Sequence, residues 1–159
     1  MARIRQLTSK GTVKMVDIGA KPVTEREARA SCKVIMKPET LKRIINQQVE
    51  KGNVLEVARL AGIMAAKRTA EIIPLCHPLS VSFVGLELKA VEEKSCLTIQ
   101  SRVRLSAKTG AEMEALTAVA VAGLTVYDMC KGIDKQMVIS DIKLVMKKGG
   151  RSGLFVRED

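Results

Sequence analysis

The chain has 159 residues, 47% of them hydrophobic, which suits one compact domain with a sizeable core and excludes wholesale disorder. Its formal charge is +10, from 27 Lys and Arg against 17 Asp and Glu, a balance that favours nucleic acid, an anionic surface or a phosphate-rich small molecule. With two Phe, one Tyr and no Trp, the core must be built from Val, Ile, Leu, Ala and Met.

Residues 1–28 are polar and aperiodic, and predict a loosely held N-terminal arm; "MARIRQLTSK" has no apolar signal core, so a cytoplasmic, reducing setting with free thiols is expected. The domain proper is expected over 29–147. "RASCKVIM" alternates, with Ala30, Cys32, Val34 and Met36 on one side of a strand. Pro38 suits a first helical turn, and Leu41, Ile44, Ile45 and Val49 predict a helix that Gly52 stops. Asn53 and Glu56 form a capping pair for a second helix, with an apolar stripe through Val57, Leu60, Ala61 and Met64, ended by Pro74. A loop holding His77, the single histidine, follows.

"LSVSFVGLELKA" predicts a strand with a bulge or bend near Gly85, and "CLTIQSRVRL" a clean strand through Leu97, Ile99, Ser101, Val103 and Leu105. A helix from about Gly110 to Lys131 is apolar around most of its circumference and is expected to be buried. Its apolar run "ALTAVAVAGLTVY" is shorter than the ~20 residues that cross a bilayer, so no membrane partner is expected. "QMVISDIKLVM" is the last predicted strand, and residues 148–159 form a basic, glycine-rich tail. The order βααββαβ predicts an α+β, ferredoxin-like fold, an antiparallel sheet covered by helices on one face. The open face is expected to present residues such as Ile99 and Val103, which would call for a second subunit.

Candidate chemistry sits in few places. Cys32, Cys76, Cys96 and Cys130 are widely spaced and one histidine cannot complete a zinc set, so no metal is expected. Asp128 stands at the unfavourable end of the long helix's dipole, and Lys131, one turn on, can compensate it. A routine terminal salt bridge explains such a pair; at the end of a buried helix both could instead be partly desolvated, lowering the lysine's pKa towards a catalytic range. Glu112 and Glu114 are explained by the positive dipole end, and Glu114 lies four turns from Asp128, too far to share a small ligand within one chain. Lys147, Lys148 and Arg151 around Gly149 and Gly150 could receive a phosphate, although a basic tail explains them equally. His77 reads as a structural loop residue, an acid-base group or a ligand contact.

"AAKRTAEIIPLCHPL", "KTGAEMEALTAVAVAGLTVYDMCK" and "KKGGRSG", with "MVDIGAKPVTEREARA" near the start, resemble the cyclic pyranopterin monophosphate synthase family of molybdenum cofactor biosynthesis. The resemblance covers Met15 to Gly153. It implies a pyrophosphate-releasing lyase without a cofactor, acting on a cyclised dihydro-GTP intermediate, a nucleotide-derived small molecule. It implies catalysis by Asp128, Lys131 and Lys51. Substrate contacts would come from Leu75, Cys76, His77, Glu112, Met113, Glu114 and Lys147, with Arg26 of the arm reaching the triphosphate. The assembly implied is a homohexamer, a trimer of dimers, with active sites between subunits. A rival RNA-binding module on the same plan would need base-stacking aromatics; "CLTIQSRVRL" has none and Phe83 is alone on the adjacent strand, so no nucleic acid is expected. A non-catalytic ligand-binding domain would fit the fold but leave the Asp128–Lys131 pair without a purpose.

Overall fold

The structure is a computed structural model that describes Thr8 and residues 11–158; the first part of the expected arm and the last residue of the tail lie outside the described residues. The elements are β1 (Thr24–Ile35), α1 (Pro38–Ile45), α2 (Val54–Lys67), a short α3 (Thr69–Ile72), β2 (Phe83–Val91), β3 (Cys96–Ala107), α4 (Glu112–Cys130), β4 (Val138–Lys148) and a two-residue β5 (Phe155–Val156). All strand pairs are antiparallel, in the order β2-β3-β1-β4-β5. The first four strands give the ferredoxin-like order, and the α+β expectation holds.

The alternation in β3 does what its spacing predicts. Leu97, Ile99, Ser101, Val103 and Leu105 are all buried beneath α4, beside Ala28, Ala30, Cys32 and Val34 of β1. Fully burying one such aliphatic side chain contributes about 1.5–3 kcal/mol. Ile99 and Val103 therefore face the helices, and the expectation that they line the open face is overturned. The open face instead carries Glu27, Arg29, Arg102, Arg104 and Phe83, with the Arg104 guanidinium 4.6 Å from the Phe83 ring centre. Burial of the alternate residues decides the direction, because the pleat has a period of two.

Several local expectations are corrected by packing. β1 begins at Thr24, inside the segment expected to be arm. α1 stops at Ile45, because Gln47 turns into the left-handed region (φ 54°); Val49 still reaches the core, from the loop. The register of β2 against β3 is continuous through Gly85, so no bulge forms there, whereas β4 is irregular opposite β1. Asn53 does cap α2, its side chain accepting the Glu56 N–H at 3.2 Å.

The apolar stripe expected on α2 is reversed. Val57, Leu60 and Met64 are exposed, while Val54, Ala58, Gly62, Ala65 and Ala66 are buried. A Cβ at Gly62 would lie 2.8 Å from the Ala118 carbonyl oxygen, so α2 and α4 meet on their smallest residues. Close backbone approach outweighs the burial of larger side chains on that face. The expectation that the long apolar run is too short to cross a bilayer also needs one adjustment. α4 reaches 19 residues and is apolar enough for a membrane span, but more than half of it is buried inside the protein as the core helix.

Candidate active site

The two ends of α4 carry two groups of side chains. At its start, Glu112, Met113 and Glu114 meet the loop after α3, and with Leu75, Cys76, His77 and Lys147 they line one cavity of about 630 Å³. Seven of the eight expected substrate-contact residues thus share a single space. The eighth, Arg26, lines an adjoining cavity of about 740 Å³ that has Glu112 and Lys147 in common with the first.

Glu114 is only 3% exposed, and burial, with the Glu112 charge adding to it, pushes its carboxyl pKa up. A dipole-end role alone does not account for so buried a carboxyl. Burial also raises the Cys76 thiol, with Glu114 as a further cause. Glu112 is held instead as an ion pair, its Oε1 2.8 Å from Lys147 Nζ. Two carboxyls two residues apart therefore sit in different surroundings, one paired with a lysine and the other set by depth.

His77 Nε2–H donates to the Val16 carbonyl at 2.8 Å; a carbonyl only accepts, which fixes the proton on Nε2. Lys108 Nζ donates to the Gly19 carbonyl at 2.6 Å. These two bonds lay the segment from Val16 to Lys21 over the first cavity, where Val16, Ile18 and Lys21 form part of the wall. The second cavity is lined by Lys21, Arg26, Lys108, Lys147 and Arg151 against the single carboxylate of Glu112, a setting for a polyanion. Lys21 and Lys108 were missed as site residues, since each is an isolated lysine in a loop; their only sequence signal was membership of the segments "MVDIGAKPVTEREARA" and "KTGAEM".

The tail is ordered around the same place. Gly149 and Gly150 have φ of +100° and +69°, and a Cβ on them would overlap the Glu25 carbonyl oxygen and the Arg26 guanidinium respectively. The glycine pair is what allows Arg26 to lie across this turn. β5 then follows, so the tail is not wholly irregular.

At the far end of α4, Lys131 Nζ is 2.7 Å from Asp128 Oδ1. Lys51 Nζ donates to the Asp128 carbonyl at 2.8 Å and stands 3.4 Å from its Oδ2. The three expected catalytic residues are thus together, and Lys51 adds a cation at the negative helix end. They line neither of the two cavities: Glu114 and Asp128 are separated by about 21 Å of helix rise. The expected desolvation is absent in the single chain. Asp128 and Lys131 side chains are 60% and 53% exposed. Lys131 holds the Asp128 carboxyl below its ordinary range, and Asp128 in turn raises Lys131 rather than lowering it. Solvent and an opposite charge both favour the ions.

Comparison with known proteins identifies the family. A model of the MoaC family matches residues 15–150. A cyclic pyranopterin monophosphate synthase of Heliobacterium modesticaldum is 54% identical over 159 residues, covering all of both chains. Enzymes of the same name from Thermomicrobium roseum and Desulfitobacterium hafniense are 53% and 55% identical, covering 100% and 94% of this chain and 96% and 91% of their own. The chain belongs to the MoaC family.

Proposed function

We propose that this member of the MoaC family is a cyclic pyranopterin monophosphate synthase, a lyase that converts a cyclised dihydro-GTP intermediate to cyclic pyranopterin monophosphate and releases pyrophosphate. The single observation that carries the reading is the convergence of two lysines on one carboxylate, Lys51 and Lys131 on Asp128, in a chain with full-length relatives of that name. The reaction opens the five-membered ring of the guanine, closes a pterin ring, and forms a cyclic phosphate as pyrophosphate leaves. It needs proton donors, proton acceptors and a cradle for a triphosphate.

Lys131 is the general acid-base group and Asp128 orients it. The exposed ion pair keeps Lys131 protonated, ready to donate; cover by a neighbouring subunit would lower its pKa and let it accept. Lys51 is the second cation of that centre. The cavity at the start of α4 receives the base, with the buried Glu114 carboxyl as a hydrogen-bonding partner and Leu75, Cys76, His77 and Met113 around it. The adjoining cavity takes the triphosphate against Arg26 and Lys147. Residues of the arm between Val16 and Arg26, and of the tail from Gly150 to Ser152, frame these cavities beside the 29–147 domain.

Because about 21 Å of helix separates the halves, a complete site takes one half from each of two chains. A homohexamer built as a trimer of dimers, with sites at its interfaces, supplies that pairing. The exposed apolar side chains Val57, Leu60 and Met64 of α2 and Leu124 of α4 are surface such an assembly can cover. The protein acts in the reducing cytoplasm, where its four free thiols persist. Purified protein given the cyclised intermediate should release pyrophosphate and yield a pterin that fluoresces after oxidation. Intact intermediate after prolonged incubation would overturn the proposal.

A further inference from the structure

Three carboxylates are buried among the described residues: Glu27, Glu114 and Asp134. Glu27 is gripped by Arg29 and Arg102, and Glu114 belongs to the candidate site. Asp134 is 2% exposed and is held by hydrogen bonds rather than by an ion pair. Its Oδ2 accepts the Lys37 N–H at 2.9 Å and the Thr40 hydroxyl at 3.2 Å, and its Oδ1 accepts the Gln136 N–H at 3.0 Å. The Lys37 N–H, the strongest of these influences, draws the carboxyl pKa down against the cost of burial.

These bonds join the two chain segments that bring cations to Asp128. On one side, the Ile133 and Asp134 N–H groups both donate to the Cys130 carbonyl, which closes the turn directly after Lys131. On the other, Lys37 and Thr40 form the start of α1, whose end leads through residues 46–50 to Lys51. An eight-residue helix is marginal by itself. The side chain of its N-cap, Lys37, makes no capping bond, so the anion that satisfies this end comes from 97 residues away. Leu41 and Ile44 seat α1 against the core, and Asp134 fixes its start.

We propose that Asp134 is a positioning residue: its carboxylate clasps the turn after α4 to the start of α1, and so sets the distance at which Lys51 meets Asp128 and Lys131. The clasp rests on the reading of those three residues as the catalytic centre. An anion at that place could also do no more than stabilise the fold, and the two roles differ in what happens to Lys51.

Trace labelling of the intact protein with limiting acetic anhydride, read by peptide mass spectrometry, measures the reactivity of each lysine without substrate. In Asp134→Asn, Lys51 labelling should rise several-fold as it leaves Asp128, while Lys89, paired with Glu87 on β2, stays unchanged. Thr40→Val, which keeps the carboxylate and removes one donor, should give a smaller rise at the same lysine. In the pyrophosphate assay Asp134→Asn should lower kcat about 10- to 100-fold with KM little changed. Adding Asp134→Asn to Lys51→Ala should then cost little more than Lys51→Ala alone. Unchanged Lys51 labelling in both variants, or losses that multiply in the double variant, would overturn the clasp. Absence of turnover in the parent protein would instead remove the synthase reading, and the labelling would still decide whether Asp134 holds Lys51 in place.

Discussion

The two ends of α4 treat the same chemical group in opposite ways. Glu114, at the start, is buried beside a cavity and its pKa is raised; Asp128, near the end, lies in solvent between two lysines and its pKa is lowered. One end offers a desolvated carboxyl in a walled space, the other a cluster of ions on a surface. The difference shows that the first group is desolvated within one chain, whereas the second, in the single chain, is not.

The largest expected effect tests the exposed end. Lys131→Ala should cut pyrophosphate release about 10²–10⁴-fold, the usual contribution of a general acid-base group, with no change in thermal midpoint. Asp128→Asn should do the same; near-normal rates in either would remove the catalytic assignment. Mixing subunits of Lys131→Ala with those of Glu114→Gln, each impaired alone, sharpens the comparison. If the two ends serve one site across a two-fold interface, exchange should restore about a quarter of parental activity, from the sites free of both changes. No recovery after demonstrated exchange would mean that each chain works alone.

Away from the helix, Glu27→Gln loses charge-assisted bonds from Arg102 and Arg29 and should cost about 1–3 kcal/mol in denaturant unfolding. The Arg102 hydrogen bond chiefly lowers the Glu27 pKa. Its stabilisation is therefore present above the unfolded carboxylate pKa and is lost as pH falls through the folded value. The stability of Glu27→Gln should accordingly depend less on pH in the acid range than that of the parent.

Gly150→Ala forces a non-glycine residue to φ +69° and displaces Arg26. The strain is about 1–2 kcal/mol, and KM should rise more than kcat falls. Smallest is the stability effect of Glu114→Gln. A raised folded pKa means that folding is opposed by ionisation, so the linkage runs opposite to that of Glu27: stability falls as pH rises from the unfolded to the folded pKa. The variant should gain thermal midpoint over the parent at pH 8 and not at pH 4; equal midpoints at both would show that Glu114 is not desolvated.

Elements governed by neighbours in sequence were readable from it. The Asn53 cap, the alternation of β3 and the buried length of α4 depend on periodicity and local hydrogen bonds, and each is found as expected. The stripe on α2 was not, because Gly62 and Ala58 are buried by what α4 presents to them, and hydrophobicity alone favours Val57 and Leu60. Around the candidate site, the quoted motifs pointed to residues that the fold brings into two groups, whereas Lys21 and Lys108 had only position to mark them and Asp134 looked like any aspartate after a helix.

The sequence by itself determined the order of elements, their periodicities and the excess of cations. Tertiary structure decided which face of each element is buried, which lysine meets which carboxylate, and that the pKa of Glu114 is raised while that of Asp128 is lowered. Those properties depend on the distance between groups far apart in the chain and on how much water reaches them, and neither quantity is written in local spacing.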